Sequence, residues 1–146
     1  MTTRNATPRI DFYVLPDAKP KGRPLLACRL TEKALAQGYK VFIHTASREQ
    51  SKLLDELLWT YRDISFIPHA VDEARADEPV LVSHSMDNIP EGTTVLINLG
   101  SAVPSAFERF ERVTELVDQS DDIKLEARTR FRDYRDRGFS PQTHNL

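Results

Sequence analysis

The segment "GYKVFIHTASREQSKLLDELLW", Gly38 to Trp59, decides the fold. Its first half holds "KVFIHT" (Lys40–Thr45), a short, apolar, β-prone run with the composition of a buried strand. Ser47 stands at a helix N-cap position, with Gln50 three residues on, the spacing of a capping box. Leu53, Leu54, Leu57 and Leu58 then recur at helical spacing, and the helix is expected to end near Trp59 and Tyr61. Upstream, "IDFYVL" (Ile10–Leu15) is a second strand of the same kind, closed by Pro16. Pro24 sits in the first turn of a predicted helix that runs to about Gln37, with an apolar stripe of Leu26, Ala27, Leu30, Ala34 and Leu35 and a stop at Gly38. Strand, helix, strand, helix in that order implies a parallel sheet with right-handed crossovers.

Downstream, "SFIPH" reads as a short extended piece, because Pro68 disfavours helix at Ile67. Residues 70–78 read as an acidic loop. "PVLVSH" and "TVLINL" are two more strands, joined through a turn containing "IPEGT". In "RVTELVD", Val113, Glu115 and Val117 alternate with Thr114 and Leu116, which favours a strand. Asp121 or Asp122 is the predicted cap of a last helix that reaches about Arg137 and stops at Gly138. The expected architecture is therefore α/β: a single domain over residues 1–146, with a mainly parallel, twisted sheet of five to seven strands flanked by helices. Residues 1–9 and 140–146 are expected to be extended tails.

The composition agrees with one soluble domain. The 146 residues are 40% hydrophobic and 29% charged, with a formal net charge of -2. That balance gives no global attraction to nucleic acid or an anionic membrane, so any such binding needs a local patch. Cys28 is the only cysteine, which excludes an internal disulfide and a cysteine metal cage and points to a reducing cytoplasm. "MTTRNATPRI" lacks the apolar core of a secretory signal. No apolar run approaches the roughly 20 residues of a membrane helix.

Parallel sheets of this kind often bind nucleotides at the carboxyl ends of their strands. The phosphate-binding motifs are missing, however: there is no GxxxxGK[ST] and no GxGxxG, and the prolines of "KPKGRP" remove N–H donors a cradle would use. None of the four histidines, His44, His69, His84 and His144, has a partner at helical metal-ligand spacing. His44 and His84 end apolar strands and read as structural. Cys28 reads as a small core residue within the first helix. Asp55 and Glu56 are adjacent on a helix and diverge by about 100°, unlike a paired acid and base.

One element carries more signal. In "KLEARTRFRDYRDRGF" (Lys124–Phe139), placing Lys124 at 0° puts Arg135 at about 20°, Arg128 at about 40°, Arg132 at about 80° and Phe131 at about 340°. Tyr134 falls on the flank near 280°, and Glu126, Asp133 and Asp136 fall between about 120° and 200°. An ordinary charged surface helix accounts for Glu126 with Arg130 and Asp133 with Arg137 as i,i+4 pairs. It does not account for four cations sharing one side with a ring. Such a face suits single-stranded nucleic acid, or an acidic peptide that ends in an apolar residue with a free carboxylate. One ring among many arginines is thin for stacking bases, and the acidic loop Asp72–Glu78 breaks any long basic track, so the peptide is favoured.

"FYVL" in the first strand, "LDELLW" followed by "SFIPH", and "ARTRFRDYRDRGF" near the end, in this order and spacing, resemble the chi subunit of bacterial DNA polymerase III holoenzyme over nearly the whole chain. The resemblance implies a non-catalytic accessory subunit of the clamp-loader assembly, with a nucleotide-binding-like fold lacking nucleotide chemistry and no cofactor. It implies two partners: the acidic C-terminal tail of single-stranded DNA-binding protein, and the psi subunit. A helicase competing for the psi surface belongs to the same implied set, and contact with DNA is indirect, in the cytoplasm at replication forks. The implied tail site is Trp59, Val117, Lys124, Arg128, Phe131, Arg132 and Thr143. Arg128 would meet the terminal carboxylate, Phe131 and Trp59 would shape the apolar pocket, and Lys124 and Arg132 would attract the acids. Arg135 joins these from the helical wheel rather than the resemblance. The implied psi surface is Phe66, Ile67 and Pro68. Two other classes compete: a module that binds single-stranded nucleic acid directly, and an α/β enzyme with a site assembled at the ends of "KVFIHT" and "TVLINL".

Overall fold

The computed structural model describes residues 7–60, 67–73 and 78–146. The strands are β1 (Arg9–Val14), β2 (Lys40–His44), β3 (Ala70–Val71), β4 (Val80–Ser83), β5 (Thr93–Asn98), β6 (Arg112–Val117) and β7 (Gln142–Asn145). The helices are α1 (Gly22–Ala36), α2 (Arg48–Thr60) and α3 (Asp121–Asp136), with a short 3-10 turn at Phe107–Arg109. All seven strands form one open parallel sheet in the order β3-β4-β2-β5-β6-β1-β7. The domain is α/β, as the sequence predicts.

Strand alternation divides the core into two layers. On one face Val41, Ile43, Val80, Val82, Val95, Ile97 and Leu116 meet Leu26, Ala27 and Cys28 of α1 and Leu54 and Leu58 of α2. On the other face Phe12, Phe42, Leu96, Val113 and Val117 meet Phe107, Phe110 and, from α3, Ala127 and Tyr134. Two helices therefore cover one side and α3 covers the other.

The caps follow the predicted chemistry closely. Ser47 Oγ accepts from the Gln50 N–H at 3.2 Å, and Gln50 Oε1 accepts from the Ala46 N–H at 2.7 Å, which closes the start of α2 reciprocally. Gly38 and Gly138 end α1 and α3 at φ of 86° and 95°, where a side chain would be strained. Three expectations change. The cap of α3 is Ser120, one residue early, so that Asp121 and Asp122 occupy the first turn, where they complement the helix dipole. Ala70 and Val71, expected in a loop, are an edge strand beside β4. The expected C-terminal tail is β7, paired in parallel with β1 from Asp11↔Gln142 to Val14↔Asn145; four mostly polar residues carry no strand pattern of their own, and the free edge of β1 supplies the template.

Candidate peptide-binding site

The basic helix is built from its buried side outward. Ala127, Arg130 and Tyr134 are the buried residues of α3. They leave Arg128, Arg132 and Arg135 exposed and Lys124 half-buried on the neighbouring side. Phe131 lies at the border. Its ring packs on Phe12 of β1 at 5.2 Å between centroids, tilted by 56°. Phe131 therefore leans towards β1, and the cation stripe lies on that flank of α3.

Strand register brings two more predicted residues to this flank. Thr143 of β7 sits directly opposite Phe12, so both point to the α3 side of the sheet. Val117, at the end of β6, belongs to the same apolar layer. Phe131 and the exposed Thr143 thus form a shelf over the buried Phe12 and Val117, on the flank of α3 that carries Lys124, Arg128, Arg132 and Arg135. Among the described residues no carboxylate pairs with any of these four cations. Lys124 and Arg135 are about 16 Å apart along the helix, enough for an extended peptide of four or five residues.

Trp59 is not brought to this shelf. It stands on α2, against the opposite face of the sheet, 54% exposed, with its ring edge-on to His69 at 5.6 Å. Ile67 and Pro68 are its neighbours in the fold: the Ile67 N–H donates to the Leu58 carbonyl at 3.1 Å. Ile67 is buried and Pro68 exposed. Phe66 lies outside the described residues.

One sequence assignment on α3 is corrected. Arg130 does not pair with Glu126. Its Nε donates to Glu115 Oε1 at 2.9 Å and its Nη1 to the Ser101 carbonyl at 3.0 Å. Tyr134, at the flank of the cation stripe, is fully buried and donates its hydroxyl to Glu115 Oε2 at 2.7 Å. The Asn98 amide donates to both oxygens of Glu115 at 3.0 and 3.1 Å, and Asn98 Oδ1 meets His44 Nδ1 at 3.0 Å. Burial pushes the Glu115 carboxyl above its usual range, while the Arg130 guanidinium and the hydrogen bonds from Tyr134, Asn98 and Arg130 pull it back. Every one of those partners is a donor, which fits a carboxylate ion. This cluster ties α3 to β6 and fixes which side of the helix faces out. The sequence held a signal for it: Glu115 occupies the inward parity of β6 with Val113 and Val117.

The basic loop after β1 does not turn its arginine towards a phosphate. The arginine of "KPKGRP", Arg23, turns inward; its Nε and Nη2 donate to the Leu116 and Leu99 carbonyls at 3.0 and 3.2 Å. Burial lowers its pKa from the usual guanidinium value. His44, at the strand end considered for an enzyme site, is held by Asn98, as a structural histidine would be. Among the described residues no group of three or more His, Cys, Asp and Glu side chains could hold a metal, and no helix is long and apolar enough to cross a membrane.

Comparison with known proteins agrees with the sequence resemblance. Residues 7–142 match the family described as "DNA polymerase III chi subunit, HolC". The chain belongs to this chi family. It is 42% identical over 140 residues to the DNA polymerase III subunit chi of Pseudomonas aeruginosa, covering 94% of this chain and 96% of that one. The Haemophilus influenzae subunit chi is 27% identical over 92% of this chain and 95% of its own. The Escherichia coli subunit chi is 29% identical over 81% and 82% respectively.

Proposed function

We propose that this chain is a non-catalytic accessory subunit of DNA polymerase III that captures the acidic C-terminal tail of single-stranded DNA-binding protein on α3 and holds the psi subunit on a separate surface. One observation carries the reading: four cations without a carboxylate partner border a half-buried phenylalanine. Arg128 takes the terminal carboxylate, the shelf of Phe131 and Thr143 over the buried Phe12 and Val117 takes the last side chain, and Lys124, Arg132 and Arg135 attract the acids before it. Binding is modest and salt-dependent, and many tails on coated DNA raise the effective concentration.

The placement of Trp59 supports a different role from the one its resemblance implied. With Ile67 and Pro68 it lies on the side of the sheet opposite α3, which favours a place on the proposed psi surface over one in the tail pocket. A helicase that competes with psi would use the same surface. The two partners then attach to opposite faces of one sheet, and both can be bound together.

Calorimetric titration with the free-acid peptide Asp-Asp-Asp-Ile-Pro-Phe at low salt tests the tail site. The expected result is saturable binding, weakened by salt, by C-terminal amidation and by Arg128→Ala, and unchanged by Trp59→Ala. Binding to a single-stranded oligonucleotide in place of the peptide would replace this reading with direct nucleic-acid binding. Psi pull-down with Trp59→Ala against Arg128→Ala separates the two surfaces.

A further inference from the structure

The side of the sheet opposite α3 is unevenly covered. Helices α1 and α2 pack over β2, β4, β5 and the end of β6. Beside α1 a groove of about 340 Å³ remains open over β5, β6 and β1. Its floor is apolar, formed by Tyr13, Leu30, Ala34 and Ile97, and Leu146 stands half-exposed at its mouth. Arg29 and Lys33, one helical turn apart on α1, and Arg112 of β6 line it as well, with no acidic side chain in the lining. Among the described residues none of these three cations has a carboxylate partner.

We propose that this groove is a second peptide-docking site, distinct from the tail site on α3 and from the Trp59 surface, that takes an acidic segment through an internal Leu- or Phe-sized anchor. The charge balance names the occupant: three cations without a side-chain carboxylate partner among the described residues, around a largely apolar floor, complement carboxylates flanking an apolar residue. The size is that of one large side chain and part of its neighbour. Nucleic acid fits less well, because Tyr13 already stacks on His144 at 4.9 Å, which leaves Tyr39 as the one partly exposed ring in the lining where stacked bases want several. Unlike the α3 shelf, the groove has no need of a chain end, so an internal stretch of a partner can enter it.

The probe is Asp-Glu-Leu-Phe-Glu-Asp, acetylated and amidated so that it has no terminal charges, titrated into isotope-labelled full chain and followed by backbone amide NMR. Shifts are expected to cluster at Tyr13, Leu30, Ala34 and Thr114. The Kd should weaken at least tenfold in Arg29→Glu/Lys33→Glu and stay unchanged in Arg128→Ala. Circular dichroism checks that the double variant folds; Arg29→Ala/Lys33→Ala is the milder substitute, with a smaller loss in the same direction. Shifts confined to α3, no shift at millimolar peptide, or indifference to the charge changes would overturn the proposal. So would an oligothymidine that moves the same amides at lower concentration, or groove shifts that follow protein concentration without peptide, which would mark a self-association face. Failure of the tail site leaves this result unaffected, because the Arg128 variant reads each site separately.

Discussion

Replacing Arg130 with methionine is the sharpest perturbation of the framework beneath the tail site. Arg130 and Glu115 are both almost fully buried, with side chains 3% and 0% exposed. The substitution keeps the aliphatic stem but leaves Glu115 without its counterion. Breaking a buried pair from one side costs about 3–5 kcal/mol. The surviving hydrogen bonds from Tyr134 and Asn98 place the expected loss at about 3 kcal/mol. For a chain of this size that is a fall in Tm of about 10–15 °C. The pH dependence has a definite sign. A carboxyl whose folded pKa is raised contributes stability that is fully present below its unfolded value and is lost as pH rises through the folded value. Glu115 is already raised by burial, and Arg130 is the largest influence opposing that rise. Removing Arg130 lifts the folded value further, so the deficit of Arg130→Met should be smallest near pH 4 and widen towards pH 7. Urea denaturation followed by circular dichroism across that range measures it. The double variant Arg130→Met/Glu115→Leu, which removes both ions, should be more stable than Arg130→Met alone. A deficit below about 1 kcal/mol at pH 7, or one that shrinks as pH rises, would refute the buried-ion reasoning.

Other outcomes follow from the same framework. Phe131→Ala should cost roughly 2 kcal/mol in urea denaturation, about half a fully buried ring, and remove calorimetric binding of the tail peptide, because Phe12 loses its cover. Cys28 is buried and its thiol is pushed up to about 12, so a thiol reagent at pH 8 should label it only slowly in the native protein and at once in denaturant. Gly138→Ala meets open space, so it should cost only the strain of the left-handed backbone, about 1–2 kcal/mol, measurable as a lowered urea midpoint.

The alternation of strands and helices was legible from local pattern because each element carries its own period and its own punctuation. "KVFIHT", the Ser47–Gln50 box and Gly38 announce themselves within a few residues, and the structure keeps all three. The segregation of cations on α3 was legible for the same reason: a helix fixes angles between its residues regardless of what surrounds it. What a wheel lacks is the direction of the core. That direction, set by contacts distant in sequence, turned Arg130 and Tyr134 inward onto Glu115 and left Arg128 and Arg132 outside. The same holds for Trp59, whose membership of a face depends on which side of the sheet its crossover helix packs. β7 is the extreme case, since Gln142–Asn145 become a strand only because β1 offers a free edge. The sequence by itself determined the elements and the chemistry available on each helix. Tertiary structure alone decided which residues meet, because that depends on sheet order and burial, neither of which is written in a local window.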